Sequence, residues 1–178
     1  MTSSSISRRT AAVQCVRNGI PVARLYHAPL SQTADAHDAA AAATLAATFA
    51  ALSAPEQDAK CLANAIEDFN DHLHKMSGAR LEVVVTDDPG TVQAPGIVVG
   101  SLAGKLGGMP EGHAGIPEAF RVRSGEGLVR VAGCGDLGSA YGLYEVLGQL
   151  GCDWVMPGDE GEVIPRRATV EIEPQDVE

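Results

Sequence analysis

The sequence has few aromatic residues. Phe, Tyr and Trp make up 4% of the 178 residues, although the hydrophobic share as a whole is 45%. We therefore expect a core built mainly from Val, Leu, Ile and Ala. A chain of this length buries roughly 70% of its extended-chain surface on folding, so one domain can hold such a core without a disulfide or a metal.

No two of the four cysteines lie at the C-x-x-C spacing, which argues against a zinc ribbon and against a thioredoxin-type redox pair. Cys61 and Cys134 fall within apolar patterns, and we expect both to be buried as small hydrophobic side chains. Reduced thiols are typical of a reducing compartment, so the cysteine pattern favours a cytoplasmic location.

No segment contains the roughly 20 apolar residues that a bilayer-spanning helix requires. The uncharged stretch 39–55 is shorter and consists largely of alanine. Residues 7–10 are similar to a twin-arginine export signal, but only residues 11–13 follow as an apolar run, against the ~7–15 residues of a signal peptide. We therefore expect no membrane segment, and we expect a flexible, basic N-terminus over residues 1–17.

Basic residues are outnumbered by acidic residues, 13 to 23, and the formal net charge is −10. The four arginines among residues 1–30 have no acidic neighbour in that stretch, so the remainder is even more acidic. Nucleic-acid binding needs clustered Lys and Arg that displace counterions from phosphates. The composition therefore argues against a nucleic-acid partner, and the acidity is explained by solubility.

The apolar patterns predict a mixed sequence of strands and helices. Leu62, Ile66, Phe69, Leu73 and Met76 recur at helical spacing, after a start signal at residues 53–56 and before a stop at residues 77–78. Further helices are predicted at 34–52 and 139–150. Strands are predicted at 20–27, 81–86, 97–100, 120–123, 128–131, 152–156 and 169–172.

Residues 120–131 are typical of a β-hairpin with one apolar face and one arginine face, formed by Arg121, Arg123 and Arg130. Such a hairpin makes the sheet mixed rather than parallel throughout. The prediction is an α/β (α+β) fold in a single domain, with a mixed β-sheet covered by helices on at least one face. The arginine face is either ion-paired with nearby acids or a docking surface.

Gly133, Gly135 and Gly138 match the pattern G-x-G-x-x-G between a predicted strand and a predicted helix. In that context, glycines can let a pyrophosphate rest on a helix N-terminus. Only about 40 residues follow, too few for the parallel unit that a dinucleotide fold requires, and the preceding strand belongs to a hairpin. We favour a tight strand-to-helix turn and keep a nucleotide-binding site as the alternative.

Six segments occur in an order that resembles one family of domains. They are residues 18–23, 66–79, 97–101, 120–133, 138–147 and 151–165. Together they resemble the N-terminal accessory domain of glycoside hydrolases, as in α-glucuronidases and bacterial β-N-acetylhexosaminidases. The resemblance covers residues 18–173 and leaves 174–178 as a tail. Two regions depart from it: residues 28–58 are longer than the usual connection, and residues 101–117 look like an irregular loop.

The resemblance implies a zincin-like α/β fold, with a mixed sheet and helices packed mainly on one face. No H-E-x-x-H occurs, so the fold name implies no zinc protease chemistry. In such enzymes the catalytic carboxylates belong to a (β/α)₈ barrel of roughly 250 residues. The implied function is a non-catalytic accessory domain that packs against that barrel, in the same or a parent polypeptide, and meets carbohydrate only through the parent enzyme. No catalytic residue, metal or cofactor is expected in this chain.

Other candidate residues receive simpler interpretations. We expect the acids Asp159, Glu160 and Glu162 to form a solvated turn, since glycoside hydrolysis needs two carboxylates facing a sugar. His72 and His74 are two apart on a helix and cannot easily share a metal; we expect surface or hydrogen-bonded positions for them and for the scattered His27, His37 and His113. Trp154 with Tyr141 and Tyr144 forms either a sugar-stacking platform or, as we expect, part of the core. A third alternative is a stand-alone interaction protein derived from the accessory domain.

Overall fold

The computed structural model describes residues 11–30, 54–113, 115–156 and 158–178. The predicted helix 34–52, Ser53 and His37 lie outside the described residues. The described helices are α1 (Ala54–Ser77), α2 (Ser101–Ala103) and α3 (Asp136–Gln149). The strands are β1 (Val13–Arg17), β2 (Ile20–Pro21), β3 (Arg24–His27), β4 (Glu82–Val85), β5 (Gly96–Val99), β6 (Phe120–Gly125), β7 (Leu128–Gly133), β8 (Asp153–Trp154), β9 (Glu162–Val163), β10 (Val170–Ile172) and β11 (Asp176–Val177).

Helix α1 carries the apolar stripe that its sequence predicts. Leu62, Phe69 and Leu73 are fully buried on that stripe, because residues three and four apart share a helix face. The helix ends at Ser77 and is followed by Gly78, whose backbone has φ = 81° and whose N–H donates to the carbonyl oxygen of His74 at 2.8 Å. Glycine adopts this left-handed conformation without a Cβ penalty, so the predicted stop is confirmed.

A six-stranded sheet in the order β11-β6-β7-β5-β3-β4 forms the centre of the fold. Strands β7, β5, β3 and β4 are parallel, whereas β6 is antiparallel to β7 and β11 is antiparallel to β6. The predicted hairpin is confirmed: β6 and β7 pair from end to end, and Glu126 and Gly127 form a two-residue turn with positive φ at both positions. The sheet is therefore mixed, as predicted.

Helices α1 and α3 pack against each other and against one face of this sheet. That face contributes Leu25, Ile97 and Val131 to the main core, because alternate residues of a strand point to opposite faces. The opposite face forms a smaller cluster that includes Tyr26 and Val98, covered by α2 and the helical turn that follows it. The fold is one compact α+β domain, and residues 101–108, predicted as a loop, are helical in part.

The predicted domain boundaries are too narrow at both ends. Residues 13–17, expected to be flexible, form β1, which pairs with β10 and with β2 and buries Val13 and Val16. Residues 176–177, expected in a tail, form β11 on the edge of the central sheet. Short strands give a weak sequence pattern when their partners lie far away in sequence, as β10 does from β1 and β6 does from β11.

The cysteine prediction is wrong in its choice of residues. Cys15 and Cys152 are the buried cysteines, whereas Cys61 and Cys134 are only half-buried. Burial raises the pKa of the Cys15 thiol to about 12, which keeps it protonated and unreactive. In the described parts of the chain, no helix combines the length and the hydropathy needed to cross a membrane.

Candidate functional site

The glycine-rich turn between β7 and α3 has a packing explanation at two of its three glycines. A Cβ atom on Gly133 would lie 2.3 Å from the backbone nitrogen of Ser139, and one on Gly138 would lie 2.3 Å from the carbonyl oxygen of Ala119. A Cβ atom on Gly135 would meet no atom within 4 Å. Gly133 and Gly138 are therefore required for close backbone contact, whatever else the turn does.

The chain itself also occupies the polar groups of this turn. The Ser139 hydroxyl donates to the carbonyl oxygen of Gly135 at 3.0 Å and accepts from the N–H of Gly133 at 2.9 Å. At the first turn of α3, burial raises the pKa of the Asp136 carboxyl, and Asp58 adds a smaller effect in the same direction. Two carboxyl groups near a helix N-terminus disfavour a pyrophosphate there. The strand before the glycines is predicted to belong to a hairpin. It does, but it also belongs to the parallel part of the sheet, because β7 is parallel to β5.

The arginine face of the hairpin is paired within the chain. Arg121, only 12% exposed, contacts Asp176 at 2.6 Å and Glu111 at 2.7 Å. Arg130 is buried and donates to the carbonyl oxygen of Gly125 at 3.1 Å. The hydrogen bond from Arg121 lowers the pKa of the Asp176 carboxyl. These arginines fasten β11 and the hairpin turn, which leaves little free positive charge for a docking partner.

The structure brings together a group of residues that sequence reasoning treats separately. We call this group, formed by Asp68, His72, Tyr144, Trp154 and Glu162, the aromatic corner. The indole ring of Trp154 lies 5.3 Å from the imidazole ring of His72 and 5.7 Å from the phenol ring of Tyr144, measured between centroids. The Tyr144 and Trp154 rings meet edge to face at 81°, an arrangement favoured by the aromatic quadrupole.

Two of these side chains, Trp154 and Glu162, belong to the β8–β9 hairpin. Trp154 and Glu162 are directly opposite in the antiparallel register, so both side chains lie on the same face of the hairpin, the one that meets α1 and α3. One Glu162 carboxylate oxygen lies 2.5 Å from the ammonium group of Lys75. The hairpin is therefore attached to α1 by an aromatic contact and by an ion pair.

Polar contacts complete the aromatic corner. The Tyr144 hydroxyl donates to the Asp68 carboxylate at 2.5 Å, and burial followed by this bond raises the pKa of Tyr144. The Nδ1–H of His72 donates to the backbone carbonyl of Asp68 at 2.7 Å. The other ring nitrogen, Nε2, is buried without a hydrogen-bond partner and lies 3.9 Å from the Glu162 carboxylate. His72 is thus buried, with one ring nitrogen hydrogen-bonded and the other without a partner.

Three large apolar side chains of the same hairpin are exposed. We call Val155, Met156 and Val163 the hairpin face; Val155 is 64% and Met156 54% exposed. Trp154 itself is 39% exposed and Tyr141 is also exposed, so the expected core position is wrong for both. One side of the hairpin is therefore fixed to the domain, and the other side meets solvent.

The carboxylates near the aromatic corner do not form a catalytic pair. Asp68 is engaged by Tyr144 and Glu162 by Lys75, while Glu160 is exposed. His113 lies 3.5 Å from Glu178, far from this group in sequence and on another element. Among the described residues, no three metal-binding side chains come together. The arrangement can position the hairpin, but it offers no acid and base facing a common substrate.

A signal for part of this site exists in the sequence. Asp68, His72 and Lys75 are spaced by four and three residues, so they share one stripe of α1 next to its apolar stripe. The neighbours of His72 on the helix surface are Asp68 and Lys75 rather than His74, with which sequence reasoning compares it. No protein-family model matches the sequence, and no curated protein is significantly similar to it.

Proposed function

We propose that this chain is a non-catalytic accessory domain of a carbohydrate-active glycoside hydrolase, of the α-glucuronidase or β-N-acetylhexosaminidase type. In this proposal the domain has a zincin-like fold and packs against a catalytic (β/α)₈ barrel through the hairpin face. The observation that carries the proposal is the hairpin itself, which is attached to the domain through Trp154 and Glu162 and exposes three large apolar side chains.

The six segments that resemble the family support the accessory role, because their residues pack the domain together. A Cβ atom on Gly142 would lie 2.6 Å from a methyl carbon of Val131, so glycine lets α3 lie close to β7. Ile97–Val99 form the buried centre of the sheet. Lys75, near the end of α1, forms an ion pair with Glu162. Residues shared with the family are thus used to assemble the domain and to hold the hairpin.

The hairpin face supports packing against a partner. Val155, Met156 and Val163 expose large apolar side chains on neighbouring positions, and burying such side chains stabilises an interface by about 1.5–3 kcal/mol each. A scattered exposed apolar residue needs no explanation, but a cluster on a fixed hairpin is typical of a contact surface. In this proposal the barrel of the parent enzyme covers that surface.

The first test is the activity of the purified chain. We expect no hydrolysis of aryl glucuronides or aryl N-acetylhexosaminides, since no pair of carboxylates faces a common space in the described residues. Turnover that co-purifies with the chain and is lost on mutation of Glu162 to Gln would locate catalysis in this chain rather than in a contaminant. Any turnover by the pure protein would contradict the accessory role.

A further inference from the structure

A second surface of the molecule has a different character. The last turn of α1 and residues 166–168 border a groove of about 730 Å³, which we call the basic groove. The basic side chains that line it belong to His74, Lys75, Arg166 and Arg167. The volume lies within the roughly 300–1,000 Å³ of small-molecule sites.

Two arginines of the basic groove have no acidic partner. Arg166 and Arg167 are exposed, and neither forms an ion pair or a side-chain hydrogen bond with any described residue. Three arginines elsewhere have acidic partners: Arg24 pairs with Glu82, Arg80 with Asp71, and Arg121 with Asp176. In a chain with net charge −10, two adjacent unpaired guanidinium groups are unusual.

The guanidinium groups of Arg166 and Arg167 are not explained by a role in capping the C-terminal end of α1. The carbonyl oxygens at the end of α1 already accept hydrogen bonds: that of Leu73 from the Ser77 hydroxyl at 2.7 Å, and that of His74 from the Gly78 N–H at 2.8 Å. The carbonyl of Met76 accepts from the backbone N–H of Arg167 at 2.9 Å. Backbone and hydroxyl donors therefore satisfy these three carbonyl oxygens, and neither guanidinium group caps them.

The backbone that carries the arginines is fixed on both sides. The bond from Arg167 N–H to Met76 attaches it to α1, and the N–H of Gly19 donates to the carbonyl of Ala168 at 2.7 Å, which attaches it to the β1–β2 turn. Fixed attachment points reduce the entropy that a binding site loses when a ligand arrives.

We infer that the basic groove binds a small ligand bearing a phosphate or a carboxylate group. The planar guanidinium fork donates two parallel hydrogen bonds to either group, and Arg166 and Arg167 supply the charge. Lys75 is shared with Glu162, so it contributes less. Binding to this groove is independent of the proposed packing against a barrel.

The test is an NMR titration of the full chain with inorganic phosphate, with gluconate as the carboxylate probe and with glucose as the neutral control. We expect phosphate or gluconate, but not glucose, to shift resonances of the groove residues at millimolar concentration, with weaker binding at higher salt. Phosphate alone or gluconate alone identifies the group that the groove prefers. A lack of saturable shifts with either anion would overturn the inference.

A pair of double variants separates the groove from the overall charge. Arg166→Gln/Arg167→Gln removes two unpaired charges and should weaken binding by at least about tenfold, as expected for lost hydrogen bonds to a charged group. Arg24→Gln/Lys105→Gln removes two charges paired elsewhere, with Glu82 and Asp87, and should bind like the wild type. Equal losses in both variants would mean non-specific attraction and would contradict a built site. Thermal melting of each variant checks that it remains folded.

Discussion

The two long helices pack into the same core by partly different means. Helix α1 buries large side chains, with Phe69 and Leu73 fully enclosed. Helix α3 buries Leu143 and Leu147 as well, but it also makes close contacts at glycines. A Cβ atom on Gly142 would overlap Val131 of β7, and one on Gly138 would overlap the carbonyl oxygen of Ala119. The stability of α1 therefore depends on side-chain volume, and that of α3 depends both on side-chain volume and on the absence of a Cβ atom at Gly138 and Gly142. The first kind of contact leaves a periodic apolar pattern in the sequence, whereas the second leaves only glycines that other functions also use.

The largest effect should follow from truncation in α1. Phe69→Ala removes a fully buried ring and should lower the free energy of unfolding by about 3–5 kcal/mol, because transfer and cavity costs add. Urea unfolding followed by circular dichroism measures the loss. Glu67→Ala, an exposed position on the same helix, serves as the control and should change stability by less than about 0.5 kcal/mol.

The matching test for α3 adds atoms instead of removing them. Gly138→Ala places a methyl group against the carbonyl oxygens of Ala119 and Pro117 and should cost about 2–3 kcal/mol. Alanine improves helix propensity by about 1 kcal/mol, so a net loss reports the overlap. Gly135→Ala meets open space at φ = −155° and should be nearly neutral in the same unfolding experiment. Equal effects at the two positions would refute the packing explanation of the motif.

A smaller effect should distinguish hydrogen bonding from volume in α1. The buried Asn70 amide donates to the carbonyl of Leu81 at 3.0 Å and accepts from its N–H at 2.7 Å. Asn70→Ala leaves both backbone groups unpaired and should destabilise the fold by about 1–3 kcal/mol. Asn64→Ala, on the exposed side of α1, provides the matched control and should unfold at nearly the wild-type urea concentration.

The smallest effect concerns the edge strand β11 and depends on pH. Because Arg121 lowers the pKa of Asp176 in the folded state, this pair stabilises the fold above the unfolded-state pKa of about 4 and loses its effect as the pH falls through the folded value. Asp176→Asn should therefore melt below the wild type at neutral pH, by a small margin for a half-exposed pair. The two melting temperatures should converge as the pH falls below 4. A constant difference across this range would rule out the ionic origin.

Sequence reasoning succeeds where local patterns decide the structure. The stripe of α1, the buried strand β5 and the β6–β7 hairpin follow from periodicity and turn chemistry, so they are predicted correctly. The ends of the domain are missed, because β1 and β11 are short and depend on distant partners. The aromatic corner is also missed, since the contact of Trp154 with His72 joins segments 82 positions apart and leaves no local pattern. The two arginines of the basic groove adjoin in sequence, but their lack of partners is visible only in three dimensions.

The accessory-domain account is tested most directly by isolating the native assembly that contains this chain. An antibody raised against the chain should recover a species far above 18.4 kDa, or a complex that contains a (β/α)₈ barrel with glycosidase activity. Val155→Asp/Met156→Asp should lower the yield of active barrel in that assembly or its resistance to dissociation, and Val85→Asp, equally exposed on β4, should not. Recovery of a species of 18.4 kDa with no barrel attached would contradict the account.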